Sequence, residues 1–325
     1  MGRREITLIR GTSNAVDAGT VLVMFNPFQE DSPVYMGDTD KVNEYALDQT
    51  GRQYYGNIPW RVRAESTSCS STRTSLAQQL KYKIHTRNTG TNQGVGSMAW
   101  GYFQFDPDVV DAVALLVDAA KSDYDLSSPI WVSRHLTNIL SATTDRSLPG
   151  VLHGKWPSAD EKDPYKDGSS PTEWTGSRKI FSQWLKEKKT VKYGQCWVFA
   201  GILTSALRTL GIPSRSLTTF RSAHDTRYES ESNDYDHIIH YGTEAESIWN
   251  FHVWVDAWFS RPDLNEKAGW NAVDATPQES SSYNDEHNEM TMGPAYVPWI
   301  KKNSVDHENM YRSVSIIFLL KLTKL

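Results

Sequence analysis

The segment that most constrains the fold begins at Cys196. After Tyr193-Gly194-Gln195, apolar residues recur at three- and four-residue steps through Phe199, Ile202, Leu203, Ala206, Leu207 and Leu210, and the run stops at Gly211 with Pro213 beyond. That period predicts a buried helix, and a glycine followed by a proline is a common way to end one. Cys196 falls at or near its N-terminus. From Pro213 onward the pattern changes to strands over residues 216–220, 248–258 and 270–274, separated by polar and acidic turns. Three further helices are predicted upstream. One starts at Asp106-Pro107-Asp108, one at Ser128-Pro129, and one at Ser177 with Ile180, Phe181, Trp184 and Leu185 facing inward. Helices followed by strands imply an α+β domain with segregated layers.

Before these helices, residues 5–9 and 20–25 read as two strands around a polar turn, and Asn26-Pro27-Phe28 enters a loop. Residues 61–96 are dominated by Ser, Thr, Arg, Asn and Gly without apolar periodicity, and read as a loose surface insertion. The chain carries Lys+Arg 34 against Asp+Glu 39, a net charge of -5, so it lacks the basic excess that nucleic acid or an anionic membrane would favour. No apolar stretch is long enough to span a bilayer, and the first residues do not read as a signal peptide. With two cysteines only, Cys69 and Cys196, neither a disulfide framework nor a zinc cluster is indicated. A reducing, cytoplasmic setting is therefore expected, with non-classical export left open.

The chemistry centres on Cys196. A thiol reacts as its thiolate, and the amides at a helix N-terminus favour negative charge there. A lone cysteine on an apolar helix is more often a small core residue, so its neighbours decide the matter. In the strand Ile248-Trp249-Asn250-Phe251-His252-Val253-Trp254-Val255-Asp256, alternation puts His252 on one face and Phe251, Val253 and Val255 on the other. His252 is one of nine histidines, yet its strand setting lets it point at a partner across the sheet. Asp274 ends the next predicted strand, where its carboxylate can orient the imidazole and stabilise its charged form. Its other reading is a turn-capping aspartate before Thr276-Pro277.

The block Tyr193-Gly194-Gln195-Cys196-Trp197-Val198-Phe199-Ala200 resembles the active-site signature of animal-type transglutaminases. The likeness continues through Leu210-Gly211-Ile212-Pro213, Ser222-Ala223-His224-Asp225, Trp249-Asn250-Phe251-His252 and Gly269-Trp270-Asn271-Ala272-Val273-Asp274. Weaker likeness at Phe25-Asn26-Pro27, Asn57-Ile58-Pro59-Trp60 and Gly154-Lys155-Trp156 reaches back towards residue 20. The resemblance implies a papain-like cysteine-proteinase fold, with a helical layer packed against an antiparallel sheet. It also implies Cys196 as nucleophile, His252 as acid and base, and Asp274 as orienter. The block from Asp167 to Ser177 is similar to the family's tryptophan block, which would make the Trp174 indole the second oxyanion donor beside the Cys196 backbone N–H. Trp249 would then join Trp174 in walling the amine's approach. The implied reaction transfers the acyl group of a protein glutamine to a lysine or small primary amine, through a cysteine thioester and with release of ammonia.

The resemblance further implies calcium, with Asp225, Glu229, Glu231 and Glu246 as candidate oxygen ligands, although Arg227 stands where another ligand is expected. A second family calcium loop is expected to be degraded, since this chain offers Thr144-Asp145-Arg146-Ser147-Leu148-Pro149 in its place. By domain, residues 1–20 are expected to be a remnant of an N-terminal β-sandwich or a linker, 21–310 the catalytic core, and 311–325 an atypical tail, without the family's C-terminal β-barrels. Two rival readings use the same residues: a catalytically silent binding or scaffold protein, and a thiol hydrolase or deamidase.

Overall fold

The computed structural model describes residues 2–10, 14–57, 94–120, 124–142, 148–157, 160–224, 247–278 and 290–297. In chain order, β1 (Gly2–Arg10) and β2 (Asn14–Val23) form an antiparallel hairpin, as the polar turn between two apolar runs predicts. The short helix α1 (Thr39–Val42) runs into a wider turn over Asn43–Leu47, and its first amides are capped by the Asp38 carboxylate. Then come β3 (Thr50–Gly56), β4 (Val95–Gly101), α2 (Pro107–Asp118), α3 (Pro129–Leu140), β5 (Leu152–Gly154), α4 (Ser177–Glu187), β6 (Val191–Gly194) and α5 (Cys196–Thr209). The chain continues through β7 (Ser214–His224), β8 (Ser247–Arg261), β9 (Glu266–Gln278) and β10 (Met290–Tyr296).

Local chemistry sets the helix starts. Asp106 accepts a hydrogen bond from the Asp108 N–H at 3.1 Å, and Pro107 fills the first helical position of α2. Val109, Val113, Leu116 and Val117 are buried at three- and four-residue steps along that helix. In α4 only one stripe is buried, with Ile180, Phe181 and Trp184 inward, as the sequence predicts. Every residue of α5 is buried, which fits a helix enclosed on all sides. It ends as expected: Gly211 has φ +78°, the left-handed conformation that glycine adopts at low cost. A β-carbon at Gly211 would also lie 2.1 Å from the Phe25 carbonyl oxygen, so glycine is required twice over.

The main sheet is antiparallel in the order β10-β9-β8-β7. Val253, Val255, Ala257 and Phe259 of β8 are fully buried and belong to the core that encloses α5. A smaller cluster made by Tyr45, Val42, Trp258 and Trp270 forms apart from it. There the Arg215 guanidinium sits 4.1 Å from the Trp270 ring centroid and pairs with Asp256 at 3.0 Å. This is the α+β arrangement of helices against an antiparallel sheet that the sequence implies.

Two features differ from the sequence reading. The strands run longer than predicted, because β-pairing continues into the polar ends: Ser214 lies opposite Ala257 and His224 opposite Ser247. The expected insertion is also shorter at its far end, since Val95 and Gly96 pair with Gly56 and Tyr55 as part of β4. Residues 58–93 lie outside the described residues, but the chain leaves and returns at one place, with the Asn57 N–H donating to the Gly94 carbonyl at 3.1 Å. An excursion with adjoining ends can be accommodated without disturbing the core. Residues 298–325 also lie outside the described set, as does Cys69.

Candidate active site

β8 and β9 pair with Val255 opposite Val273, so Asp274 comes beside the stretch of β8 that carries His252. His252 Nε2 lies 2.6 Å from Asp274 Oδ2, and the other carboxylate oxygen accepts the Thr276 backbone N–H at 2.8 Å. Asp274 thus satisfies both sequence readings at once, capping the turn and orienting the ring. The Asp274 side chain is 1% exposed and that of His252 15%. Burial alone pulls the imidazole pKa down, but the adjacent Asp274 charge, its hydrogen bond and a hydrogen bond to Cys196 outweigh that and raise it to about 10. The ring is therefore held as an imidazolium at neutral pH.

Cys196 is the first residue of α5 and is 6% exposed. The Val198 and Phe199 N–H groups are satisfied by the Gln195 carbonyl at 2.8 and 3.1 Å. The positive end of the helix thus lies at Cys196, and that residue is among the influences that hold the His252 ring charged. Cys196, His252 and Asp274, singled out from sequence, are brought together in one place.

Trp174 is not where the sequence reading put it. Its indole N–H donates to the Tyr193 carbonyl at 2.7 Å, the residue is 3% exposed, and Lys179 lies over its ring. An N–H committed to a buried backbone carbonyl is not available to a developing oxyanion, so Trp174 braces β6 from behind. The indole paired with Trp249 is that of Trp156, edge to face at a centroid distance of 6.3 Å. Trp156 is fixed to the nucleophile's side of the site because the Lys155 N–H donates to the Gly194 carbonyl at 3.1 Å and the Gln195 amide donates to the Lys155 carbonyl at 2.9 Å. The sequence signal for it was the block Gly154-Lys155-Trp156, which marks a likeness but does not reveal which indole is spent on backbone.

Around this tryptophan lies a polar and aromatic cluster. The Tyr193 hydroxyl donates to Asp167 at 2.8 Å, Lys192 pairs with Asp167 at 2.7 Å, and Lys155 pairs with Glu161 at 2.7 Å. Hydrogen bonds from Lys192 and Tyr193 hold the Asp167 carboxyl down at about 2. On another side of Cys196, Trp197 packs against Phe251 at 6.0 Å, and Tyr55 approaches Phe251 at 6.5 Å.

The candidate calcium ligands Asp225, Glu229, Glu231 and Glu246 lie outside the described residues, as do residues 144–147 of the expected degraded loop. Among the described residues no group of three or more His, Cys, Asp or Glu side chains is arranged to hold a metal ion. No helix among the described residues is long and apolar enough to cross a membrane.

The comparisons with known proteins point the same way as this geometry. Residues 163–275 match the family described as the transglutaminase-like superfamily. The human protein-glutamine gamma-glutamyltransferase 4 is 36% identical over 289 residues, which cover 86% of this chain and 36% of the relative. The Pagrus major protein-glutamine gamma-glutamyltransferase 2 is 33% identical over 297 residues, covering 87% of this chain and 36% of the relative. The crystal structure of red sea bream transglutaminase superposes with a TM-score of 0.63 at 32% identity, covering 88% of this chain and 38% of that one. The chain spans about a third of the length of these relatives.

Proposed function

From the premise that this chain belongs to the transglutaminase-like superfamily, we propose that it is a protein-glutamine gamma-glutamyltransferase whose nucleophile is Cys196. The observation that carries the proposal is the short His252–Asp274 contact at 2.6 Å, made by an imidazole whose charged form is also favoured by Cys196, the first residue of α5.

The reaction follows from these groups in two balanced steps. The Cys196 thiolate attacks the carboxamide carbon of a protein glutamine, and a C–S bond forms. The C–N bond then breaks as the imidazolium gives its proton to the leaving nitrogen, which departs as ammonia. His252 is now neutral and removes a proton from an incoming primary amine as that amine attacks the thioester. The C–S bond breaks, an isopeptide bond forms, and the thiolate–imidazolium pair is restored. Asp274 remains ionised throughout and stabilises the ring in its charged state. The Cys196 backbone N–H is the first oxyanion donor in this reading, and the second passes from Trp174 to the indole of Trp156. An oxyanion donor of this kind is typically worth about a hundredfold or more in rate.

The alternative of a thiol hydrolase uses the same three residues. The Trp156–Trp249 pair favours amine transfer, because aromatic walls beside the thioester exclude water while admitting an alkylamine. The substrates proposed are therefore proteins bearing glutamine and lysine, together with small primary amines. Calcium activation is also proposed, on the ground that the relatives are transglutaminases and that Asp225, Glu229, Glu231 and Glu246 offer the hard oxygen donors calcium needs. The reaction above assigns no step to the ion. A reducing, cytoplasmic-type compartment would suit the unpaired thiol of Cys196.

The test is incorporation of a labelled primary amine into a glutamine-containing protein, with ammonia measured alongside. Cys196→Ala should abolish both signals while keeping the fold, since thiol to methyl is a small change in a packed site. Amine incorporation by Cys196→Ala at the parent rate would refute the proposal. Ammonia release that never responds to added amine would favour the hydrolase.

A further inference from the structure

Gln195 occupies the N-cap position of α5 but makes no side-chain bond to the helix, although its backbone is extended at φ −131° and ψ −178°. Residues that cap well at this position are short, so that their oxygen reaches back to the first-turn amides. The longer Gln195 side chain reaches away instead. Its Nε2 donates to the Lys155 carbonyl at 2.9 Å and lies 3.4 Å from the Tyr165 hydroxyl. The Lys155 N–H in turn donates to the Gly194 carbonyl at 3.1 Å. Both peptide groups of Lys155 are therefore gripped by the two residues that immediately precede the nucleophile. Trp156 is the next residue, edge to face with Trp249.

We propose that Gln195 is a positioning residue that holds Trp156 beside Cys196, and so sets how strongly the acyl-enzyme prefers an amine to water. This rests on the transglutaminase reading above. The rationale is geometric. The Gln195 backbone is covalently joined to Cys196 and its side chain is bonded to the residue joined to Trp156, so sulfur and indole are tied through one side chain. A displacement of about an ångström between reacting groups and the walls that orient them can cost on the order of a hundredfold. By turning outward, Gln195 also leaves the first turn of α5 without a side-chain cap at Cys196.

The test compares the full parent chain with Gln195→Met, which keeps the length and removes the amide donor. The first readout is the partition of the acyl-enzyme, taken as labelled amine incorporated per ammonia released, across amine concentrations. The expected result is a fall of about fivefold in that ratio, the equivalent of one lost hydrogen bond, with the KM for amine raised and the ammonia-release rate changed less. The second readout is hydrogen exchange over residues 152–157, which should accelerate in Gln195→Met while α5 stays protected. An unchanged partition ratio with unchanged exchange would overturn the proposal, as would exchange accelerated throughout α5 together with a parallel loss of all activity. If the parent releases no ammonia at all, the transglutaminase reading fails, and the exchange measurement still decides whether Gln195 holds the Trp156 segment.

Discussion

Replacing Asp274 by Asn keeps the size of the side chain and removes the charge that faces His252. The distance between an ordinary imidazole pKa of about 6.5 and about 10 corresponds to on the order of 5 kcal/mol in favour of the charged ring in the folded protein. Because the folded value lies above the unfolded one, this stabilisation is complete below a pH of about 6.5 and is lost as the pH rises through about 10. Asp274→Asn leaves burial as the largest remaining influence, and burial acts in the opposite sense. Chemical denaturation across pH should therefore show the parent losing stability above neutrality, whereas the variant should lose it on acidification below about 6.5. Titration of the His252 ring by nitrogen-15 NMR, identified with a His252→Gln control, should place the parent midpoint near 10 and that of Asp274→Asn close to or below the ordinary value. Formation of the acyl-enzyme should slow by about a hundredfold to ten-thousandfold, the usual contribution of a positioned acid. A midpoint in Asp274→Asn that stays near the parent's would show that the carboxylate is not what holds the proton, and would refute the reasoning.

The two tryptophans separate cleanly. Trp174→Phe should cost about 1–3 kcal/mol in denaturation midpoints, because the buried Tyr193 carbonyl loses its donor, while the amine-to-water partition stays at the parent value. Trp156→Ala should shift that partition towards hydrolysis and, through the lost oxyanion donor, slow acyl-enzyme formation by about a hundredfold, as measured by ammonia release against amine incorporation. Gly211→Ala should destabilise by at least about 2 kcal/mol in thermal or chemical unfolding, since it forces a left-handed alanine onto the Phe25 carbonyl oxygen. Removing calcium with a chelator should suppress amine incorporation and added calcium should restore it, whereas replacing Glu229 and Glu231 by Gln should raise the calcium concentration needed.

The parts of the fold that could be read from sequence are those set by nearby residues. Asp106 and Pro107 announce α2 because cap and first turn are adjacent, and Gly211 with Pro213 closes α5 for the same reason. His252 and Asp274 could be paired on paper because β8 and β9 are neighbours in sequence as well as in the sheet. The pairing of β3 with β4 was not legible, since residues 57 and 94 meet only after a long excursion that carries no periodic signal. Nor was the parallel pairing of β5 with β6, three and four residues long, whose partners lie far apart along the chain. The exchange of Trp174 for Trp156 has the same origin. Both indoles flank polar loops in the sequence, and only the path of β6, which brings the Tyr193 carbonyl to Trp174, decides which one is already occupied. The acidic residues expected to bind calcium lie in a stretch outside the described residues, so their reading rests on the sequence alone.

The most direct measurement is to trap the covalent intermediate. The protein is incubated with a glutamine-containing donor in the absence of amine, quenched in acid, and its peptides are weighed by mass spectrometry. The predicted result is a donor adduct on the peptide carrying Cys196, formed with one ammonia released per adduct, which disappears on adding a primary amine as the amide product forms. An adduct on another residue, or product formed by Cys196→Ala, would contradict the account.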